Sequence, residues 1–159
     1  TQAEAQDLKI EEYDLIAEVK KIIGKYEIIK ETEDYEIILT SPEKIIVKAD
    51  KNKINQVIYN LINNAINYTG KDKKVWVNIK ENNKRILIEV VDSGKGIKKE
   101  DLKHIWDRYY KNEKNHQRDI VGTGLGLSIV KGILNLHHFN YGVNTKIGKG
   151  TTFYFEINK

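Results

Sequence analysis

Between Lys51 and Tyr68 the apolar residues are Ile54, Val57, Ile58, Leu61, Ile62, Ala65 and Ile66, in alternating steps of three and one. That spacing returns to one side of a helix of about 3.6 residues per turn, and it predicts an amphipathic helix across the whole segment. Upstream, Leu8 to Gly24 reads as a second helix ending at a glycine, with Leu15, Ile16, Val19, Ile22 and Ile23 on its apolar side. Two β-like runs, "YEIILT" and "KIIVKAD", flank a turn at "TSPEK", which holds the only proline, Pro42. Downstream, "KVWVNI" and "RILIEVV" read as strands joined by the polar turn "KENNK". Leu102, Ile105, Trp106 and Tyr109 mark a short amphipathic helix, and the charged "KNEKNHQRDI" reads as a mobile loop. A helix to about Leu136 follows, and "YGVNTK", "IGKG" and "TTFYFEI" close the chain as a hairpin. Helices do not alternate one for one with strands, so the order predicts an α+β sandwich with helices on one sheet face, not a doubly wound parallel sheet.

Length and composition narrow the picture without changing it. The 159 residues are 40% hydrophobic, enough for one compact core, and there is no internal repeat. With no cysteine, neither disulfides nor thiolate metal sites are available, which is compatible with a reducing, intracellular setting. No apolar run is long enough to span a bilayer and the first residues lack the order of a signal peptide, so the segment is expected to be soluble. The net charge of +4 arises from 27 Lys and Arg against 23 Asp and Glu, with lysines scattered among glutamates. That pattern argues against nucleic acid and for a solvated surface, and it leaves anionic small ligands open.

Three constellations carry candidate chemistry. On the Lys51–Tyr68 helix, stepping about 100° per residue puts Asn60, Asn64 and Asn67 within roughly 60° of one another, at the edge of the apolar face. Asparagine is a poor helix former, so the stripe is either a solvated edge or a set of amides that ligate a hard cation and meet phosphate. In "VVDSGKGI" a strand ends on Asp92, with Gly94 and Gly96 following. This is either an ordinary turn or a carboxylate that accepts a hydrogen bond from an exocyclic amine such as adenine's, with bare backbone where a flat ring approaches. The third is "VGTGLGLSIV". It is not a P-loop, since no Gly-Lys-Ser/Thr occurs, nor a dinucleotide fingerprint, since Leu127 occupies the last position. A glycine-rich turn at a helix N-terminus remains, either a tight junction or a phosphate cradle.

Taken together, these motifs resemble the catalytic ATP-binding domain of sensor histidine kinases. "NLINNAINYT" is similar to that family's asparagine box, "DSGKGI" to its first glycine box, "IWDRYYK" to its F box, "GTGLGLSIV" to its second glycine box and "GKGTTFYF" to its closing segment. The resemblance covers about residues 45 to 157. It implies a two-layer α/β sandwich, its mixed and mostly antiparallel sheet covered on one face by three helices, with an ATP lid. It implies residues 1–24 as a linker and first-helix region and 25–159 as the ATP-binding domain of a longer kinase.

Carried over by position, the resemblance implies Asn64 as magnesium ligand and Asn60 as a neighbouring contact to metal and phosphates. Asp92 becomes the adenine-reading carboxylate, with Gly94 and Gly96 beneath the base and Ile97 beside them. Tyr68 lines the nucleotide site, and Thr151 brings a hydroxyl near the adenine. Gly122, Thr123, Gly124, Leu125, Gly126 and Leu127 form the lid hinge and phosphate cradle. Tyr110 and Lys111 end the F box where the family has Tyr-Arg, and Asn67 stands where many members have a phosphate-reaching lysine. Charge neutralisation is then left to magnesium, Lys111 and Arg108. "HHF", from His137 to Phe139, replaces the family's His-Gly-Gly. Related ATPases such as gyrase carry a glutamate where Asn60 stands. An amide cannot take a proton from water, so the resemblance implies slow hydrolysis and ATP conserved for transfer.

None of the four histidines precedes a proline, as a phosphoacceptor motif would require. His104, His116, His137 and His138 read as surface or structural residues, the last two at a helix end where a cation suits the dipole. The chain is therefore expected to bind Mg-ATP, to be monomeric when isolated, and to serve a phosphoacceptor domain in a homodimeric kinase and, beyond it, a response regulator receiver domain. The resemblance further implies the cytoplasmic part of a membrane-anchored bacterial sensor kinase. Two other readings stay open: a stand-alone ATPase or serine-directed kinase of the same fold, and a non-catalytic binding module.

Overall fold

The computed structural model of the chain describes residues 8–29, 34–107 and 126–159. Its elements are β1 (Ile10–Asp14), α1 (Leu15–Ile28), β2 (Glu36–Thr40), β3 (Ile46–Asp50), α2 (Lys51–Tyr68), β4 (Lys74–Glu81), β5 (Arg85–Asp92), α3 (Lys99–Leu102), α4 (Gly126–His137), β6 (Tyr141–Lys146) and β7 (Gly150–Asn158). Five strands form one sheet in the order β2-β4-β5-β7-β6, in which only β2 and β4 run parallel. Period-two alternation sorts its faces: Val75, Val77, Ile79, Ile86, Ile88, Val90, Phe153, Phe155 and Ile157 are buried, and the residues between them are half-exposed. α2 lies on β4 and β5, flanked by α1 on one side and α4 on the other, so three helices cover one sheet face as expected. Its predicted stripe is buried from Ile54 to Ile66.

The N-terminal expectation needs correcting. Leu8 to Gly24 is not one helix: Ile10–Asp14 forms β1, antiparallel to β3, with Ile10 opposite Asp50 and Asp14 opposite Ile46. The helix starts only after Asp14, whose carboxylate accepts the Ile16 N–H at 3.1 Å as an N-cap. It then continues through Gly24 to Ile28. A glycine inside a helix costs about 1 kcal/mol, and burial of Tyr26 beyond it offsets that cost. Residue 24 thus lies within α1, whose apolar side joins the same core as the sheet. "YEIILT" and "KIIVKAD" are strands as expected, and they join different sheets, β2 pairing with β4 and β3 with β1. α3 is a single turn ending at Leu102; Ile105 and Trp106 lie beyond it, and the Trp106 ring meets Tyr141 and Phe153 edge-on at 5.1 and 5.6 Å.

α4 ends in a Schellman motif. Phe139 N–H donates to the Leu134 carbonyl at 3.0 Å and His138 N–H to the Asn135 carbonyl at 3.1 Å, with His138 at φ +59° and Phe139 buried. His138 therefore occupies the left-handed position that glycine usually takes.

Candidate functional site

The asparagine stripe of α2 faces the start of α4. A Cβ on Gly126 would lie 4.0 Å from the Asn60 Cγ, and the Asn60 Nδ2 is buried without a hydrogen-bond partner among the described residues. Asn64 is half-buried one turn further on, and the Asn67 Oδ1 is again buried and unpaired. An unpaired buried polar atom costs about 1–3 kcal/mol, and among the described residues Tyr13 Oη and Asn55 Oδ1 share this condition with the two on the stripe. Asn63, which the sequence did not single out, shows the contrast. It is buried, and the Tyr26 hydroxyl donates to its side-chain oxygen while lying 3.1 Å from the Tyr59 carbonyl. Asn63 is satisfied within the protein and holds α1 to α2.

The second part of the site is at the end of β5. Asp92 is buried, its Oδ1 accepts the Gly94 N–H at 2.8 Å, and the Thr151 backbone N–H also donates to the carboxylate. Burial outweighs these bonds and pushes the Asp92 carboxyl up to about 6. The glycine at 94 is required before any ligand arrives: a Cβ there would lie 1.9 Å from the Tyr68 carbonyl oxygen. Gly150, at φ +126°, would place a Cβ 2.0 Å from the Asp92 carbonyl. The end of α2, the turn after β5 and the start of β7 thus meet backbone to backbone around Asp92.

Hydroxyl groups fix this junction. Thr69 Oγ1 donates to the Lys74 carbonyl at 2.6 Å and accepts the Ser93 N–H at 3.2 Å, while Ser93 Oγ donates to Asp72 at 2.7 Å. On the other side Thr145 Oγ1 accepts the Ile97 N–H at 2.9 Å and donates to the Gly150 carbonyl at 3.1 Å. The buried Thr151 hydroxyl, 2.9 Å from Thr145 Oγ1, is then the donor of that pair. Sequence reading missed Thr69, Ser93 and Thr145, since scattered hydroxyls carry no periodic signal.

The structure therefore brings Tyr68, Asp92, Gly94, Gly96, Ile97 and Thr151 together at one end, and Asn60 and Gly126 at the other, with Leu127 packed partly into the core. Arg108, Tyr110, Lys111, Gly122, Thr123, Gly124 and Leu125 lie outside the described residues. Among the described residues no group of three or more His, Asp or Glu side chains could hold a metal alone. The side-chain oxygens of Asn60 and Asn64 are of the type that can ligate a hard cation, while the Asn60 Nδ2 can only donate.

One histidine expectation changes. His137 Nδ1 lies 2.9 Å from the Ile133 carbonyl and so must donate, while Nε2 accepts the Asp50 N–H at 3.1 Å. His137 is a neutral imidazole in a hydrogen-bond chain, not a cation facing the helix dipole.

A family model described as "Histidine kinase-, DNA gyrase B-, and HSP90-like ATPase" matches residues 49–159. Sensor histidine kinase YclK of Bacillus subtilis is 32% identical over 144 residues, which cover 86% of this chain and 30% of that protein. The chain thus spans under a third of this relative's length. Among solved structures, the catalytic domain of histidine kinase ThkA in a nucleotide-free form superposes with a TM-score of 0.81 at 26% identity, covering 95% of this chain and 96% of that one. A structure of ThkA in complex with the response regulator protein TrrA shares the fold, with a TM-score of 0.78 at 24% identity over 96% of this chain and 42% of that one. Matched over most of its length, this chain belongs to the histidine kinase-, DNA gyrase B- and HSP90-like ATPase family, as a catalytic ATP-binding domain of the sensor histidine kinase type.

Proposed function

We propose that this domain binds Mg-ATP between Asn60 and Asp92 and, within a longer sensor kinase, presents the γ-phosphate to a histidine on a dimerisation domain. The phosphoryl group then passes to an aspartate of a response regulator receiver. The observation that carries the reading is the placing of two polar groups along one helix. The Asn60 Nδ2, unpaired among the described residues, lies near the first residue of α4, and the buried Asp92 carboxylate sits beyond the last turn of α2. Asp92 would accept the exocyclic amine of adenine, and Thr151 and Ile97 would border the ring. The positive end of the α4 dipole and the Asn60 amide would favour phosphate oxygens. Asn64 would hold the magnesium that neutralises phosphate charge, the more needed because Asn67 supplies none. The histidine-bearing domain and the receiver belong to this proposal, as do a homodimeric parent and its membrane anchor. None of the described helices is long and apolar enough to cross a membrane.

The side chain at position 60 favours transfer over hydrolysis, because an amide cannot act as general base towards water. Calorimetric titration of ATP with and without magnesium tests binding, and no heat at millimolar nucleotide would sink the reading. Acid-labile phosphate appearing on an added dimerisation domain tests transfer. Rapid ATP turnover by the isolated chain would favour a stand-alone ATPase instead.

A further inference from the structure

The nucleotide reading uses one end of α4 and leaves a hydrogen-bonded node at the other unexplained. Asp50 is a buried carboxylate that is not among the candidate ligand residues. Its Oδ1 accepts the Lys53 N–H at 3.2 Å and caps α2, and its Oδ2 accepts the Lys9 N–H at 3.0 Å. Its own N–H donates to His137 Nε2 at 3.1 Å, and His137 stacks on Phe139 with ring centroids 5.0 Å apart. The three segments that meet here are the approach to β1, the first turn of α2 and the last turn of α4.

The two helices are matched in length between their contacts. From Asp50 to Asn60 is ten residues of α2, about 15 Å of helix, and from Gly126 to His137 is eleven residues of α4, about 16 Å. α4 thus runs antiparallel beside α2, with its first residue near Asn60 and its last bonded to Asp50. Along this stretch α4 packs against α2 with Val130, Ile133 and Leu134 buried, and apolar contacts, being non-directional, leave the axial register loosely set. A directional bond at one end does not.

We propose that His137 is a positioning residue for the phosphate side of the nucleotide site, acting through the Asp50 N–H to fix the axial register of α4 on α2. The Nδ1–H bond to Ile133 selects the tautomer and holds the ring, and the Nε2 bond sets the register. The start of α4 then stands at a fixed distance from Asn60. Because Lys9 binds the same Asp50, a displacement of the incoming chain at β1 reaches α4 through a single residue.

This rests on the nucleotide reading, and the experiment separates the two. Affinities for Mg-ATP and for adenosine, which lacks phosphates, are measured by NMR titration on the whole chain for the parent, His137→Phe and His137→Gln. Phenylalanine keeps the ring stack but leaves the Asp50 N–H without an acceptor, whereas the glutamine Oε1 reaches the place of Nε2. The expected result is a loss of about tenfold in Mg-ATP affinity for His137→Phe, on the scale of one unmade hydrogen bond. Adenosine affinity should be unchanged in that variant, and His137→Gln should restore Mg-ATP binding. Exchange of the Asp50 amide proton should be fast in the phenylalanine variant and slow in the other two. Parent-like Mg-ATP affinity in His137→Phe overturns the proposal, as does an equal loss for adenosine or failure of His137→Gln to bind where the parent does. A parent that binds neither ligand removes the nucleotide reading itself.

Discussion

Asp92 concentrates the chemistry of the site in one side chain. Its carboxyl is pushed up from 3.8 to about 6 by burial, so the folded state holds the proton more tightly than the unfolded chain does. The stability that this contributes is complete below about pH 4 and is lost as the pH rises through about 6. Replacing Asp92 with asparagine should flatten that part of the stability–pH curve and stabilise the ligand-free domain at neutral pH by about 2–3 kcal/mol, readable by urea melts between pH 4 and 8. The same variant should discriminate ATP from GTP less well. Gly94 makes a second point at this scale. Sequence reading reserved that glycine for an approaching ring, yet the Tyr68 carbonyl already fills the space a Cβ would need. Gly94→Ala should therefore lower stability by about 3 kcal/mol as well as weaken nucleotide binding, and a variant that loses binding with an unchanged melt would return the glycine to the ligand.

Among the elements, the helix ends carry the most testable detail. His138 stands at the left-handed position of the Schellman motif, where its Cβ costs about 1 kcal/mol that glycine does not incur. His138→Gly should raise stability by about that amount in chemical denaturation and leave ATP affinity alone. The link between α1 and α2 predicts the opposite sign. Tyr26→Phe leaves the buried Asn63 oxygen without a donor and should cost about 1–3 kcal/mol, again with no effect on nucleotide. The pattern of α2 was legible from sequence because its seven apolar positions are a local signal. The start of α1 was not. Residues Ile10 to Asp14 become a strand only because β3, more than thirty residues away, supplies their hydrogen bonds, and no local propensity records such a partner.

For the whole molecule, the site is an assembly of distant ends. Asn64→Ala should remove the magnesium-dependent part of ATP affinity and keep the magnesium-independent part; equal loss of both in parallel titrations would place the metal elsewhere. By itself the sequence determined the α+β class, the strands of the sheet, the amphipathic α2 and the order of motifs, because period, turn chemistry and residue type are written locally. It also determined the family, since Asn60, Asn64, Asp92 and the glycines keep their types and order. Only the tertiary structure decided that β2 pairs in parallel with β4 and that Asn63 belongs to the core while Asn60 does not. It alone decided that His137 is an acceptor for the Asp50 N–H and that burial pushes the Asp92 carboxyl up to about 6. The physical reason is common to all four. Each depends on which atoms lie across a contact from a distant segment, and spacing along the chain fixes a side chain's face but not what faces it.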